Sequence, residues 1–151
     1  MSSIHPFLWF ESEAEQAATF YVSLFPNSSI DSVSRLPDGG AFVVSFTLDG
    51  SRFEAMNAGS GHPFSDAVSF YIQAPTQERI DELWDALTAD GGKPNRCGWL
   101  TDRWGLSWQV APPRLGELMT STQPGVSQRV TAALMTMEKI DIAQLEAAAA
   151  G

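Results

Sequence analysis

The order of hydrophobic patterns predicts an α+β fold made of a repeated strand-helix-strand unit with a helical tail. Three observations carry this prediction. A short aromatic-rich run, Ile4 to Phe10, is followed by one stretch at helical spacing and then by three strand-like segments. After the loop Gly59-Ser60-Gly61-His62-Pro63 the same order begins again. Beyond Pro112-Pro113 only helical patterns remain.

Each element follows from local chemistry. Ile4 to Phe10 is apolar and too short for a stable helix, so it reads as a buried strand. Ser12-Glu13-Ala14-Glu15 has the spacing of a capping box. Behind it Ala14, Ala17, Ala18, Tyr21, Leu24 and Phe25 form an apolar stripe, and Pro26-Asn27 ends the helix. Ile30 to Leu36 and Ala41 to Leu48 flank the turn Pro37-Asp38-Gly39-Gly40; in the second, Phe42, Val44, Phe46 and Leu48 alternate with Val43, Ser45 and Thr47. Asp49-Gly50 is a two-residue hairpin signal leading into Arg52 to Asn57, with Glu54 and Met56 on one face and Phe53 and Ala55 on the other. In the second half Ala67 to Gln73 is a strand, and Thr76 caps a helix carrying Ile80, Leu83, Trp84 and Leu87. Gly91-Gly92 ends that helix, and Cys97 to Leu100 and Leu106 to Val110 are short strands, leaving this half one strand short. The tail offers a helix over Arg114 to Ser121, and a longer one after Pro124 with Val130, Leu134 and Met137 on one face. A last helix to Ala150 follows, capped at Asp141. The expected organisation is a repeat domain over 1–113, with modules about 4–57 and 67–111, and a helical extension of the same domain over 114–151.

Composition narrows the partners. Nine Lys and Arg against eighteen Asp and Glu give a formal charge of −9, which repels phosphate backbones and anionic lipids, so neither nucleic acid nor a membrane is an expected partner. A single cysteine, Cys97, excludes an internal disulfide and a thiolate zinc cluster and suits a reducing cytoplasm. With no histidine near it in sequence, Cys97 reads as a small buried filler. No apolar run approaches the ~20 residues needed to span a bilayer, and the N-terminal residues lack the pattern of a signal peptide.

Several segments resemble one family. They are Pro6-Phe7-Leu8-Trp9-Phe10, Ala17-Ala18-Thr19-Phe20-Tyr21 with Leu24-Phe25-Pro26, and the tryptophan-rich run Cys97-Gly98-Trp99-Leu100-Thr101-Asp102-Arg103-Trp104-Gly105-Leu106-Ser107-Trp108-Gln109. Gln128-Arg129-Val130 and Met137-Glu138-Lys139-Ile140-Asp141 extend the match through the tail. Together they resemble the vicinal oxygen chelate superfamily, the glyoxalase and bleomycin-resistance fold. Within it they are most similar to the PhnB-like, demethylubiquinone 3-methyltransferase-like branch. The resemblance implies paired βαβββ modules curving around a cavity, a homodimer, and in active members a divalent metal held by side chains on four strands.

Placed on this chain, the implied metal positions fall on Pro6, Glu54 (or Met56 on the same face), Ala67 with Ser69 next, and Gln109. The last follows the pattern Asp102-Arg103-Trp104-Gly105. Pro6 has no donor and Gln109 is a neutral amide, so at most one of the four positions holds a carboxylate and no metal or other cofactor is expected. His5 neighbours Pro6, and strand alternation sends it to the other face, which makes it a surface or edge residue. A three-ligand set of His5, His62 and Glu54 would support the competing reading, a metal-dependent lyase or dioxygenase. The inward faces offer Glu54 as a base and Gln109 as a donor to a substrate oxygen, with Met56, Ser69, Tyr71, Trp99, Trp104 and Ser107 around them. Trp9 and Trp108 are expected to alternate away from that set, whereas Trp99 and Trp104 suit a cavity wall or the core equally. Such a pocket suits a small aromatic or quinone-like molecule. No acidic-Gly-x-Gly loop of the kind that binds S-adenosylmethionine follows any strand, so methyl transfer is not expected. The third reading is a dimeric structural or regulatory module without a ligand.

Overall fold

Alternation of apolar and polar residues builds the first sheet. In a computed structural model that describes residues 2–151, the chain divides into two compact units, one ending at Pro63 and one spanning Phe64–Gly151. The first contains β1 (Phe7–Phe10), α1 (Ala14–Leu24), β2 (Ser29–Arg35), β3 (Ala41–Leu48) and β4 (Ser51–Asn57). Its sheet order is β1-β4-β3-β2, with β1 parallel to β4 and the other pairs antiparallel. Leu8, Phe10, Val44, Phe46, Leu48, Phe53 and Ala55 are buried, and α1 packs against the sheet through Ala14, Ala17, Ala18 and Tyr21. Small residues on that helix let it approach closely, and each large apolar side chain buried there contributes about 2 kcal/mol. Asp49 and Gly50 have φ of 46° and 78°, as the hairpin requires.

Three expectations for this unit are corrected. The first strand begins at Phe7 rather than Ile4, because Pro6 has no N–H to give and Ile4 lies 85% exposed. The capping box at Ser12 does not form: the N-cap is Glu13, with no side-chain bond. Asn57 supplies the cap from β4 instead, its Oδ1 accepting from the Ala14 N–H at 2.8 Å while its Nδ2 donates to the Ala41 carbonyl at 3.1 Å. Phe42 is exposed rather than in the buried set, because the β2–β3 register shifts between Val33 and Arg35 and turns Ala41 inward in its place.

The second unit repeats the connectivity. It holds β5 (Ser69–Gln73), α2 (Gln77–Thr88), β6 (Lys93–Pro94), β7 (Trp99–Thr101) and β8 (Ser107–Ala111), in the order β5-β8-β7-β6. β5 runs parallel to β8, and β6 and β7 complete the antiparallel side. The unit is therefore βαβββ like the first, its missing strand being the two-residue β6 that no periodicity could reveal. β5 starts at Ser69 rather than Ala67, and β7 at Trp99 rather than Cys97. Thr76 caps α2 as expected, accepting from the Arg79 N–H at 3.2 Å.

The tail adds α3 (Pro113–Met119), α4 (Val126–Leu134) and α5 (Ile142–Ala150) to the second unit. Asp141 caps α5 through the Gln144 N–H at 3.0 Å. Leu115, Leu118, Val126, Val130, Leu134, Met137, Ile140 and Leu145 form one buried cluster with Ala111. Met137 joins it from beyond the end of α4 rather than from the helix face.

The cluster is tied to the sheet at Cys97-Gly98. Their N–H groups donate to the Met137 and Glu138 carbonyls, both at 2.8 Å. Both residues are left-handed, with φ of 61° and 82°. Gly98 admits no side chain, since a Cβ there would lie 2.7 Å from Ile140 Cδ1 and 2.9 Å from the Val110 carbonyl oxygen. Cys97 is thus a half-buried turn residue that packs against the edge of this cluster rather than filling its interior, its Sγ lying 3.7 Å from Met135 Sδ. Gln77 closes the other end, donating to the Ile140 carbonyl and accepting from the Ile142 N–H. Among the described residues no helix is long and apolar enough to cross a membrane.

Candidate functional site

Strand pairing decides which side chains share a face, because residues directly opposite in register point the same way. In the first unit Phe7 and Ser45 lie opposite Glu54, and Trp9 and Val43 lie opposite Met56. Glu54, Met56, Phe7 and Trp9 thus occupy the face away from α1. This corrects the expectation for Trp9, whose parity follows from a parallel β1–β4 pairing that no local pattern reports. Phe7 is 50% exposed, and Trp9, Ser45, Glu54 and Met56 are half-buried.

The centre of this face is a hydrogen-bonded carboxylate. Glu54 Oε2 lies 2.5 Å from His5 Nε2, and Oε1 accepts from Ser45 Oγ at 3.1 Å, with Arg52 Nη2 at 3.5 Å. The bond from His5, seconded by that from Ser45 and by the nearby Arg52 charge, holds the Glu54 carboxyl below its ordinary range against the opposing effect of burial. His5 is not the edge residue that alternation implied. It precedes the first strand, where alternation does not apply, and the Pro6 carbonyl accepting the Glu54 N–H at 3.0 Å draws the segment alongside β4. The sequence set His5 beside Glu54 only as a co-ligand of an ion, and Ser45 was not legible as its partner, since both hydrogen bonds depend on register.

His62 makes no contact with Glu54. Its ring lies tilted against Trp9, with centroids 4.1 Å apart and planes at 36°, while Trp9 Nε1 donates to the Gly59 carbonyl at 2.9 Å and holds the loop down. Among the described residues no three His, Cys, Asp or Glu side chains are grouped to hold a metal ion, so the set His5, His62 and Glu54 is not assembled. The large groove of this unit, about 1070 Å³, runs between α1 and the β2–β3 turn past the Arg35–Glu15 ion pair, and none of the expected site residues lines it.

In the second unit Ser69, Ser107 and Thr101 are aligned across the sheet, as are Tyr71, Gln109 and Trp99. The expected residues Ser69, Tyr71, Trp99, Ser107 and Gln109 therefore share one face. Gln109 Nε2 donates to Ser69 Oγ at 2.8 Å, so the face is centred on a neutral pair. Partial burial pushes the Tyr71 hydroxyl above its ordinary value. Trp104 does not join them: it sits in the β7–β8 turn under the Arg103 guanidinium, 5.3 Å from its ring centroid. Trp108 packs on the opposite face at 2% exposure, as alternation predicts, with Nε1 donating to Asp102 Oδ2 at 2.9 Å. Asp102 also accepts from the Trp104 and Leu106 N–H groups. Asp102-Arg103-Trp104-Gly105 thus owes its pattern to turn geometry.

Comparison with known proteins places these faces in context. A family model described as 3-demethylubiquinone-9 3-methyltransferase matches residues 2–111, leaving α3–α5 beyond it. A Bacillus cereus structure described as a putative 3-demethylubiquinone-9 3-methyltransferase, PhnB protein, is 34% identical, with a TM-score of 0.67 over 72% of this chain and 98% of that one. A Pseudomonas aeruginosa protein at 17% identity shares the fold, with a TM-score of 0.60 over 74% and 98%. So does the fosfomycin resistance protein FosX from Listeria monocytogenes, solved with Mn(II) and sulfate, at 18% identity and a TM-score of 0.51 over 73% and 92%. A search of curated proteins returned no match.

The fold therefore occurs with a divalent ion, but the donors on these faces do not suit one. Glu54 already serves His5 and Ser45, the remaining ring nitrogen of His5 is a single donor, Pro6 offers no side-chain donor, and Ser69 and Gln109 are neutral and bonded to each other.

Proposed function

The chain belongs to the 3-demethylubiquinone-9 3-methyltransferase family, in its PhnB-like branch, and from that premise we propose that it binds a small flat organic molecule, aromatic or quinone-like, without a metal ion. The observation that carries this reading is the Glu54 face. An ionised carboxylate clasped by His5 and Ser45 is set among Phe7, Trp9 and Met56, which couples a polar anchor to a surface for an apolar ring. Gln109, Ser69 and Tyr71 offer neutral hydrogen-bonding groups beside Trp99 on the second sheet. A carboxylate held below its ordinary range is a weak base. Glu54 therefore acts as a fixed charge that orients its neighbours on the first sheet; on the second sheet, taken by itself, Gln109 is a donor suited to a ligand oxygen. Methyl transfer has no support, as no loop for S-adenosylmethionine is present. We further propose a cytoplasmic homodimer, in keeping with the superfamily resemblance and the free thiol of Cys97.

A thermal-shift screen of chelator-treated protein against phenols, quinones and dicarbonyls tests the reading. A ligand at about a hundred times its Kd adds about 2.7 kcal/mol and raises Tm by roughly 5–11 °C. Stabilisation that appears only after Mn(II), Zn(II) or Fe(II) is added back would establish the metal-dependent lyase or dioxygenase instead. Absence of any shift would leave a structural module.

A further inference from the structure

The His5–Glu54 contact has a chemical consequence beyond anchoring. An ionised carboxylate can only accept, so the 2.5 Å contact requires the hydrogen to sit on Nε2 of His5. In the neutral ring the other nitrogen, Nδ1, is then a bare acceptor. Among the described residues nothing donates to Nδ1, and the His5 side chain keeps 24% of its surface in solvent. Ser45 and Arg52 engage the far oxygen of Glu54, so the carboxylate is fixed from both ends and fixes the ring in turn. A carboxylate behind an imidazole sets its tautomer and orientation. On one side the pair borders apolar groups, Phe7 and Trp9 on the adjoining strand and Met56 two residues along β4, with the His62 ring against Trp9; on the other side lie Ser45 and Arg52.

Resting on the reading of this face as a small-molecule site, we infer that His5 is its ligand-contacting acceptor, taking a hydrogen bond at Nδ1 from an acidic hydroxyl, phenolic or enolic, of a flat ring lying against Phe7, Trp9 and Met56. Glu54 is the positioning residue and never touches the ligand. The class of ligand follows from the pairing. A methyl ether or a carbonyl brings no hydrogen to a nitrogen that can only accept, so the site selects the hydroxylated form over its ether or oxidised counterpart. Should the proton cross, the O–H electron pair stays on the ligand oxygen as a phenolate, and the proton leaves an imidazolium beside the Glu54 carboxylate.

Two measurements test this. Long-range 1H–15N NMR of the ligand-free protein should show neutral His5 as the Nε2–H tautomer, with both tautomers populated in Glu54→Met. An Nδ1–H tautomer in the wild type overturns the inference directly. Calorimetric titration should show hydroquinone binding about tenfold more tightly than its dimethyl ether, the effect of one hydrogen bond to a desolvated acceptor. In His5→Leu the two should bind within about twofold of each other. If the hydroxyl preference survives in His5→Leu, the role of His5 fails while the small-molecule reading stands. If no phenol, quinone or dicarbonyl binds, both fall together.

Discussion

The two βαβββ units have one connectivity and two chemistries. In each, the first and last strands pair in parallel, and a strand in the equivalent place, β4 or β8, carries the central polar residue of the face. On β4 that residue is Glu54, charged and gripped by a histidine; on β8 it is Gln109, neutral and bonded to a serine. A duplicated backbone thus reproduces where side chains point and leaves their chemistry free to diverge. The units also differ in support. The second carries α3–α5, whose apolar cluster is anchored at a two-residue left-handed turn, whereas among the described residues α1 is the one helix of the first unit.

The largest effect that would break this comparison lies at the anchor. Gly98→Ala should lower stability by about 3 kcal/mol in denaturant unfolding, since the added methyl meets Ile140 and the Val110 carbonyl in a conformation that disfavours a Cβ. Ile140→Ala alone should cost about 2–4 kcal/mol. Combined, the two should cost less than their sum, because the second removes part of what the first collides with. Full additivity would show that the tail does not press on Gly98.

Next comes helix capping, which the units achieve differently. Asn57→Ala should cost about 1–2 kcal/mol, as it leaves the Ala14 N–H and the Ala41 carbonyl without their side-chain partner. Thr76→Ala, a local cap, should cost about 1 kcal/mol. Ser12→Ala should be close to neutral, and a loss comparable to Thr76→Ala would reinstate the capping box.

The smallest effect separates the charged face from the neutral one by acidity. The folded-state pKa of Glu54 is depressed, so its contribution is whole above the ordinary glutamate range and disappears as pH falls through the lower folded value. Glu54→Gln should therefore lose less stability than wild type between neutral pH and about pH 3, by about 1 kcal/mol or less. Gln109→Glu, tested the same way, would show whether the second face tolerates a charge. Equal acid sensitivity of wild type and Glu54→Gln would remove the His5 contact from the account.

Fold and faces were largely legible in the sequence because period-two and helical spacings are local properties. The hairpin at Asp49-Gly50, the caps at Thr76 and Asp141, and the shared faces of Glu54 with Met56 and of Ser69 with Tyr71 needed nothing more. What escaped were features of register. Trp9 joins the Glu54 face only because β1 pairs with β4, and His5 reaches Glu54 because the strand begins only at Phe7, after Pro6, which leaves His5 outside the strand's alternation. Asn57 caps a helix 43 positions away. β6 is two residues long and includes a proline, so its sequence carries no period at all.

The most direct test of metal-free binding at these faces is one calorimetric comparison. Chelator-treated protein is titrated with a stabilising phenol or quinone, with and without one equivalent of Mn(II) or Zn(II). Equal affinities in both titrations are the predicted result. Binding that requires the ion would contradict the account.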